Sequence, residues 1–205
     1  EAIANRRQTD AMLASLRGGG WKDLPGTRVE LTQLTKLFGA QTTALIDSVA
    51  SEQALEDLRK KGELSQFRYL HFATHGLLDE RFPLNSALAL TIPEQPADGQ
   101  ANGLLQAWEI FEQMRIDADL VTLSACETGL GKELGGEGLV GLTRAFHYAG
   151  ARTVLASLWS VGDESTASLM TRFYGQLKAG RTKDEALRAA QLEMIRARRS
   201  WHPFQ

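Results

Sequence analysis

Leu120-Val121-Thr122-Leu123-Ser124-Ala125-Cys126-Glu127-Thr128-Gly129 decides the fold of this chain. The run opens on apolar and β-branched residues, the composition of a short buried strand, and closes on a thiol and a glycine. Arg68-Tyr69-Leu70-His71-Phe72-Ala73-Thr74-His75-Gly76 has the same form, with an imidazole in place of the thiol. Cys126 is the only cysteine, so it has no disulfide partner within the chain. Two such strands side by side in a parallel sheet carry thiol and imidazole to one sheet edge. That is the arrangement a cysteine nucleophile and its base require.

Outward from these runs, strands alternate with helices. Pro25-Gly26 introduces Val29, Leu31, Leu34, Leu37 and Phe38, spaced as one helix face and stopped by Gly39. Thr42 to Ile46 reads as a short strand. Ser51 is placed to N-cap a helix carrying Ala54, Leu55 and Leu58, closed by Gly62. Tyr69 to Thr74 is the histidine strand, Leu84 to Ile92 a further strand, and Pro93 to Gly103 a loop. Gln106 to Met114 is a helix, and Asp119 to Ala125 the cysteine strand. A glycine-rich loop from Gly129 to Gly138 leads into a helix, Leu139 to Tyr148, and Thr153 to Leu158 is the next strand. Asp163 caps a helix ending near Gly180, and Thr182 with Glu185 forms a capping box for the last helix, running to about Arg199. The expected class is α/β, a mostly parallel central sheet with helices on both faces. Such sheets place functional groups at the carboxyl ends of their strands, where His75, Cys126, Trp159 and Asp163 all fall.

Composition narrows the function. The length of 205 residues fits one domain, with residues 1–24 a partial segment or linker and 25–205 the domain proper. A net charge of −2, from 23 basic and 25 acidic residues, gives no argument for nucleic acid or an anionic membrane as partner. No apolar run approaches the roughly 20 residues of a membrane span, and Glu1-Ala2-Ile3-Ala4-Asn5-Arg6-Arg7 is not a signal peptide. A single cysteine points to a reducing, cytoplasmic setting. The chain opens without an initiator Met, as a piece of a longer protein would.

At its two strand motifs the chain resembles a known family. His71-Phe72-Ala73-Thr74-His75-Gly76, Leu123-Ser124-Ala125-Cys126-Glu127-Thr128-Gly129 and Gly135-Gly136-Glu137-Gly138-Leu139 are similar to the motifs of CHAT domains. These are caspase-like domains of the caspase–separase superfamily of cysteine peptidases, often attached to tetratricopeptide repeats. Tyr148-Ala149-Gly150-Ala151-Arg152 and Ala156-Ser157-Leu158-Trp159-Ser160-Val161-Gly162-Asp163 extend the likeness. The resemblance implies a caspase-like fold and hydrolysis of peptide bonds in a protein substrate, controlled by an attached repeat region. It implies His75 as catalytic histidine and Cys126 as nucleophile, with the backbone N–H groups of Gly76 and Cys126 as oxyanion donors. His75 would either promote the thiolate or protonate the leaving amine. Family members usually carry a further apolar strand before the Pro25 region and a last strand after a motif like His202-Pro203-Phe204, and neither is legible here. The local caspase signature is absent around Cys126, so aspartate specificity is not implied.

The same residues have rival readings. His71 shares a strand face with His75 and reads as a hydrogen-bonded support or a second catalytic histidine. His71, His75 and Cys126 lack a recognisable fourth ligand, so neither metal nor cofactor is expected. Gly136 to Gly141 matches G-x-G-x-x-G, but stands too far from its strand for a dinucleotide site, and Glu137 would repel a phosphate. Glu127, Trp159 and Asp163 are candidates for the wall of a substrate pocket, Asp163 for a basic side chain. A catalytically silent signalling or scaffold module of the same fold is the alternative function.

Overall fold

The structure, a computed structural model, describes residues 23–91, 102–124, 126–127, 136–158 and 162–197. Three parallel strands form the central sheet: β1 (Tyr69–Phe72), β5 (Leu120–Leu123) and β7 (Val154–Ala156), with β5 in the middle. The order joins strands that are distant in sequence, as helix crossovers require. Alternation along each strand sorts its side chains. Leu120 of β5 and Tyr69 of β1 join one cluster with Leu34, Met170, Phe173 and Tyr174. Val121, Leu123, Leu70 and Phe72 join the other, with Ile110, Leu142 and Phe146. Because both faces are covered, all four β5 residues are buried.

The helices follow that division. The first face carries α1 (Pro25–Phe38), α5 (Asp163–Lys178) and α6 (Lys183–Arg196). The second carries α3 (Ala107–Gln113) and α4 (Glu137–Ala149), with Leu55 and Leu58 of α2 (Glu52–Lys60) packed against it. The α/β class and the two covered faces agree with the sequence reading.

A second sheet lies beyond the first. Its order is β4 (Leu104–Gln106), β3 (Ala87–Ala89), β2 (His75–Leu77) and β6 (Cys126–Glu127). The histidine and cysteine strands therefore do not end where the sequence pattern stops. Each leaves the first ladder, after Phe72 and after Leu123, and pairs again in the second sheet from His75 and from Cys126.

Several expectations are corrected. Ser51 does cap α2, its hydroxyl accepting the Ala54 N–H at 3.2 Å. Thr42 to Ile46, however, is in no ladder; residues 42–45 line a cavity of about 540 Å3 that borders the edge strand β1. The strand expected from Leu84 to Ile92 shrinks to Ala87–Ala89, because Pro83 opens a 3-10 turn over Pro83–Asn85. On α1 the buried stripe is Gly26, Glu30 and Leu34, and Val29 stands exposed. The N-cap of α5 is Gly162 rather than Asp163. The loop expected from Pro93 and the glycine loop after Gly129 lie largely outside the described residues. No helix among the described residues is long and apolar enough to cross a membrane.

The start of α3 holds a titratable group inside the fold. Glu109 closes a capping box, accepting the Gln106 N–H at 2.8 Å. Burial pushes its carboxyl from 4.5 up to about 7; the Gln106 N–H pulls it down, and the nearby Glu52 raises it again. A folded value above the unfolded one means the folded state binds the extra proton. The associated stability is complete below the unfolded value and is lost as pH rises toward about 7. Glu109→Gln keeps an oxygen acceptor for the cap without the ionisation. Its melting temperature relative to the native chain should rise steadily between pH 4.5 and about 7, and level off above; a constant difference contradicts this account of Glu109.

Candidate active site

The register of the parallel ladder builds the site. In the central sheet Tyr69, Leu70, His71 and Phe72 of β1 oppose Leu120, Val121, Thr122 and Leu123 of β5. The ladder runs one bond further, from Ser124 N–H to Phe72 C=O at 2.8 Å. Beyond the breaks the lines pair again, in parallel, with His75 opposite Cys126 and Gly76 opposite Glu127. Neighbouring strands stand about 4.8 Å apart, so the two backbones meet at adjacent positions.

The other side of β2 is closed by β3, where Gly76 opposes Leu88 and Leu77 opposes Ala87. Thr74 fastens the break by donating its hydroxyl to Ala89 C=O. Asp79 turns the chain after β2, its carboxylate accepting the Arg81 and Phe82 N–H groups at 3.0 and 2.9 Å. The histidine is thus carried on a strand paired on both sides.

Beneath the break lies a buried polar cluster. Glu30 of α1 is 1% exposed, and its carboxylate accepts the Ser124 hydroxyl at 3.1 Å. Its other oxygen stands 2.8 Å from His71 Nε2, within ion-pair reach although off the line of a good hydrogen bond. His71 Nδ1 faces the Tyr174 hydroxyl at 3.2 Å, and that hydroxyl meets Thr122 Oγ1 at 2.8 Å. Burial pushes the Tyr174 phenol above its ordinary range; the contact with Thr122 opposes this, and the Glu30 charge adds to it. Both ring nitrogens of His71 are therefore engaged by protein groups.

The remaining candidates fall out separately. Asp163 is half-buried and accepts the Gly26 backbone N–H, pinning the first turn of α1 to α5. Glu127 enters through its backbone pairing with Gly76. Trp159 lies outside the described residues. Of the G-x-G-x-x-G glycines, Gly136 takes a left-handed φ of 81°, and the other two have a packing cause. A Cβ on Gly138 would sit 2.9 Å from Ser86 Oγ, and one on Gly141 would sit 2.5 Å from Pro83 C=O, so α4 lies directly on the turn between β2 and β3. The first turn of α4 is capped by a carboxylate, Glu80 accepting the Glu137 N–H at 2.9 Å, where a phosphate would need that donor.

Sequence reasoning missed Glu30. The one available signal was its place four residues after Gly26 and four before Leu34, on the stripe that α1 buries.

A fold of this kind, with histidine and cysteine on paired strand lines, defines a caspase-like domain. A CHAT domain family profile matches residues 2–205, and the chain belongs to that family of caspase-like peptidase domains. Among its relatives is tetratricopeptide repeat protein 28 of Mus musculus, 29% identical over 203 residues, covering 83% of this chain and 8% of the relative. The Homo sapiens protein of the same name is 28% identical over 211 residues, covering 89% of this chain and again 8% of the relative. The chain thus spans about 8% of the length of these curated relatives.

Tyr174→Phe tests the polar cluster directly. It leaves the Thr122 hydroxyl and His71 Nδ1 buried without their shared partner, and should cost about 1–3 kcal/mol in urea denaturation. Adding Thr122→Val removes one of the stranded groups and should restore part of the loss. Full additivity of the two substitutions contradicts the contact between them.

Proposed function

We propose that the domain is a cysteine endopeptidase using a Cys126–His75 dyad. The observation that carries this reading is the parallel register setting His75 opposite Cys126, on two lines that make the same break between the same two sheets. Membership of a caspase-like peptidase family supports it from an independent side.

The chemistry needs few groups. The Cys126 thiol gives its proton to His75 and its sulfur attacks the scissile carbonyl carbon, forming a C–S bond as the carbonyl electron pair moves to oxygen. The backbone N–H groups of Gly76 and Cys126 are the donors this reading assigns to that oxyanion; fixed dipoles of this kind typically contribute several kcal/mol. His75 transfers a proton to the leaving amine as the C–N bond breaks. Water then attacks the thioester, releasing the acid and regenerating the thiol. The mechanism requires the thiol to lie on the His75 side of the second sheet. Glu127, Trp159 and Asp163 remain the candidates for substrate selection, with Asp163 also holding α1 through Gly26. A repeat region in the same longer protein is the natural controller, given the relatives' names, and the cytoplasm the natural compartment for a free thiol.

A second reading, a catalytically silent signalling or scaffold module, is favoured by the relatives' names, which refer to repeats and to no enzyme. Cleavage of a peptide library by the full-length protein separates the two. Under the peptidase reading Cys126→Ala abolishes cleavage and labelling by thiol-directed substrate mimics, and His75→Ala lowers kcat by at least about 100-fold. Cleavage unchanged by Cys126→Ala, or none by the intact protein under any condition, contradicts it.

A further inference from the structure

The buried cluster beneath the break has no task in the chemistry above, yet it is an expensive thing to build. A carboxylate removed from water costs several kcal/mol before its partners offset it, and apolar residues of similar volume often give equal or greater stability. Glu30 sits where the neighbouring stripe residue, Leu34, is apolar and buried in the core. Stability alone is therefore a poor reason for its presence.

Its contacts show what an apolar residue would not do. Ser124 is two residues before Cys126, and His71 is four before His75. Glu30 reaches both at once, 3.1 Å from the Ser124 hydroxyl and 2.8 Å from His71 Nε2. Tyr174 repeats the arrangement from α5, meeting His71 on one line and Thr122 on the other. The cysteine line is held at two residues, Thr122 and Ser124, and the histidine line at one, His71, by the same two helices, which are pinned to each other through Asp163 and Gly26. Apolar contacts tolerate small sliding, whereas the hydrogen bonds among Glu30, Ser124, Thr122, Tyr174 and His71 Nδ1 are directional and fix relative position, the close approach of Glu30 to His71 Nε2 adding to them. The cluster lies at the last turn of pairing before both lines break, where sliding would misalign everything beyond.

We propose that Glu30 is a positioning residue for the Cys126–His75 pair, setting the two strand lines in step by gripping Ser124 and His71 together. The proposal rests on the dyad reading. Glu30 touches neither substrate nor sulfur; it acts through the strand lines.

The test is the pH dependence of Cys126 alkylation by iodoacetamide in the full-length protein, followed on the Cys126 peptide by mass spectrometry, beside kcat and KM for a cleaved peptide. With the dyad formed, the native thiol titrates below the ordinary value of about 8.5, and His75→Ala returns it there. Glu30→Gln, which keeps shape and one acceptor, should move the alkylation profile toward that of His75→Ala. It should also lower kcat by about 10–100-fold with KM within about twofold, the loss expected of a small misplacement. A Glu30→Gln profile identical to native, in a background where His75→Ala does shift it, overturns the proposal and leaves the dyad standing. A profile unmoved by His75→Ala overturns the dyad and the proposal with it. Should Glu30→Gln not fold, Ser124→Ala removes one grip alone; it must shift the profile in the same direction, and a native profile in that folded variant overturns the proposal equally.

Discussion

The pairing of β1 with β5 is the constraint on which the rest depends. It places two sequence-distant lines side by side in the middle of the molecule, and the register set there survives the passage into the second sheet. Phe72 opposes Leu123, and His75 opposes Cys126, so both lines take a step of equal length across the break. Sequence separation alone does not bring histidine to cysteine. The equal step does, and a residue inserted into one break and not the other would slip one line against its partner. Every other element serves this pairing: two helical layers bury its faces, and β3 closes the outer side of β2.

Two kinds of interaction maintain the register, with different consequences. Apolar packing on both faces, through Leu70, Phe72, Val121 and Leu123 on one and Tyr69 and Leu120 on the other, supplies driving force because it removes area from water. It is nearly indifferent to small displacements along the strands. The face of Tyr69 and Leu120 also carries His71 and Thr122 among its inward positions, and there directional contacts replace part of the packing. The sheet is thus held together from both sides and held in register by polar contacts from one. That division explains why the polar cluster lies toward the break and not at the distal end, where Leu120 and Tyr69 return to apolar contact.

Much of this was legible in the sequence because local chemistry and fold agreed. Pro25 and Gly39 bracket α1, Ser51 caps α2, and the two apolar runs are strands with alternating faces. Three features were not legible, each for a physical reason. Glu30 reads as a solvated residue because nothing in its neighbourhood along the chain reveals partners about 40 and 95 residues away, on strands. The second sheet was hidden because β2, β4 and β6 are only two or three residues long, too short to show a period. The strand expected after Leu84 is cut short by a turn that Pro83 announces, although the apolar run continues past it. Of the candidate site, the side-by-side placing of the histidine and cysteine strands followed from order and composition; the second sheet in which His75 opposes Cys126, and the supporting cluster, came only with the third dimension.

The central claim is that thiol and imidazole stand together above the break. Its most direct measurement is the distance from the Cys126 sulfur to the His75 ring, in a crystal structure of the protein carrying a covalent peptide inhibitor. The account predicts a sulfur bonded to the inhibitor and an imidazole nitrogen within about 4 Å of it, on the same side of the second sheet. An imidazole on the opposite side from the sulfur, or an inhibitor that leaves Cys126 unmodified, would contradict it.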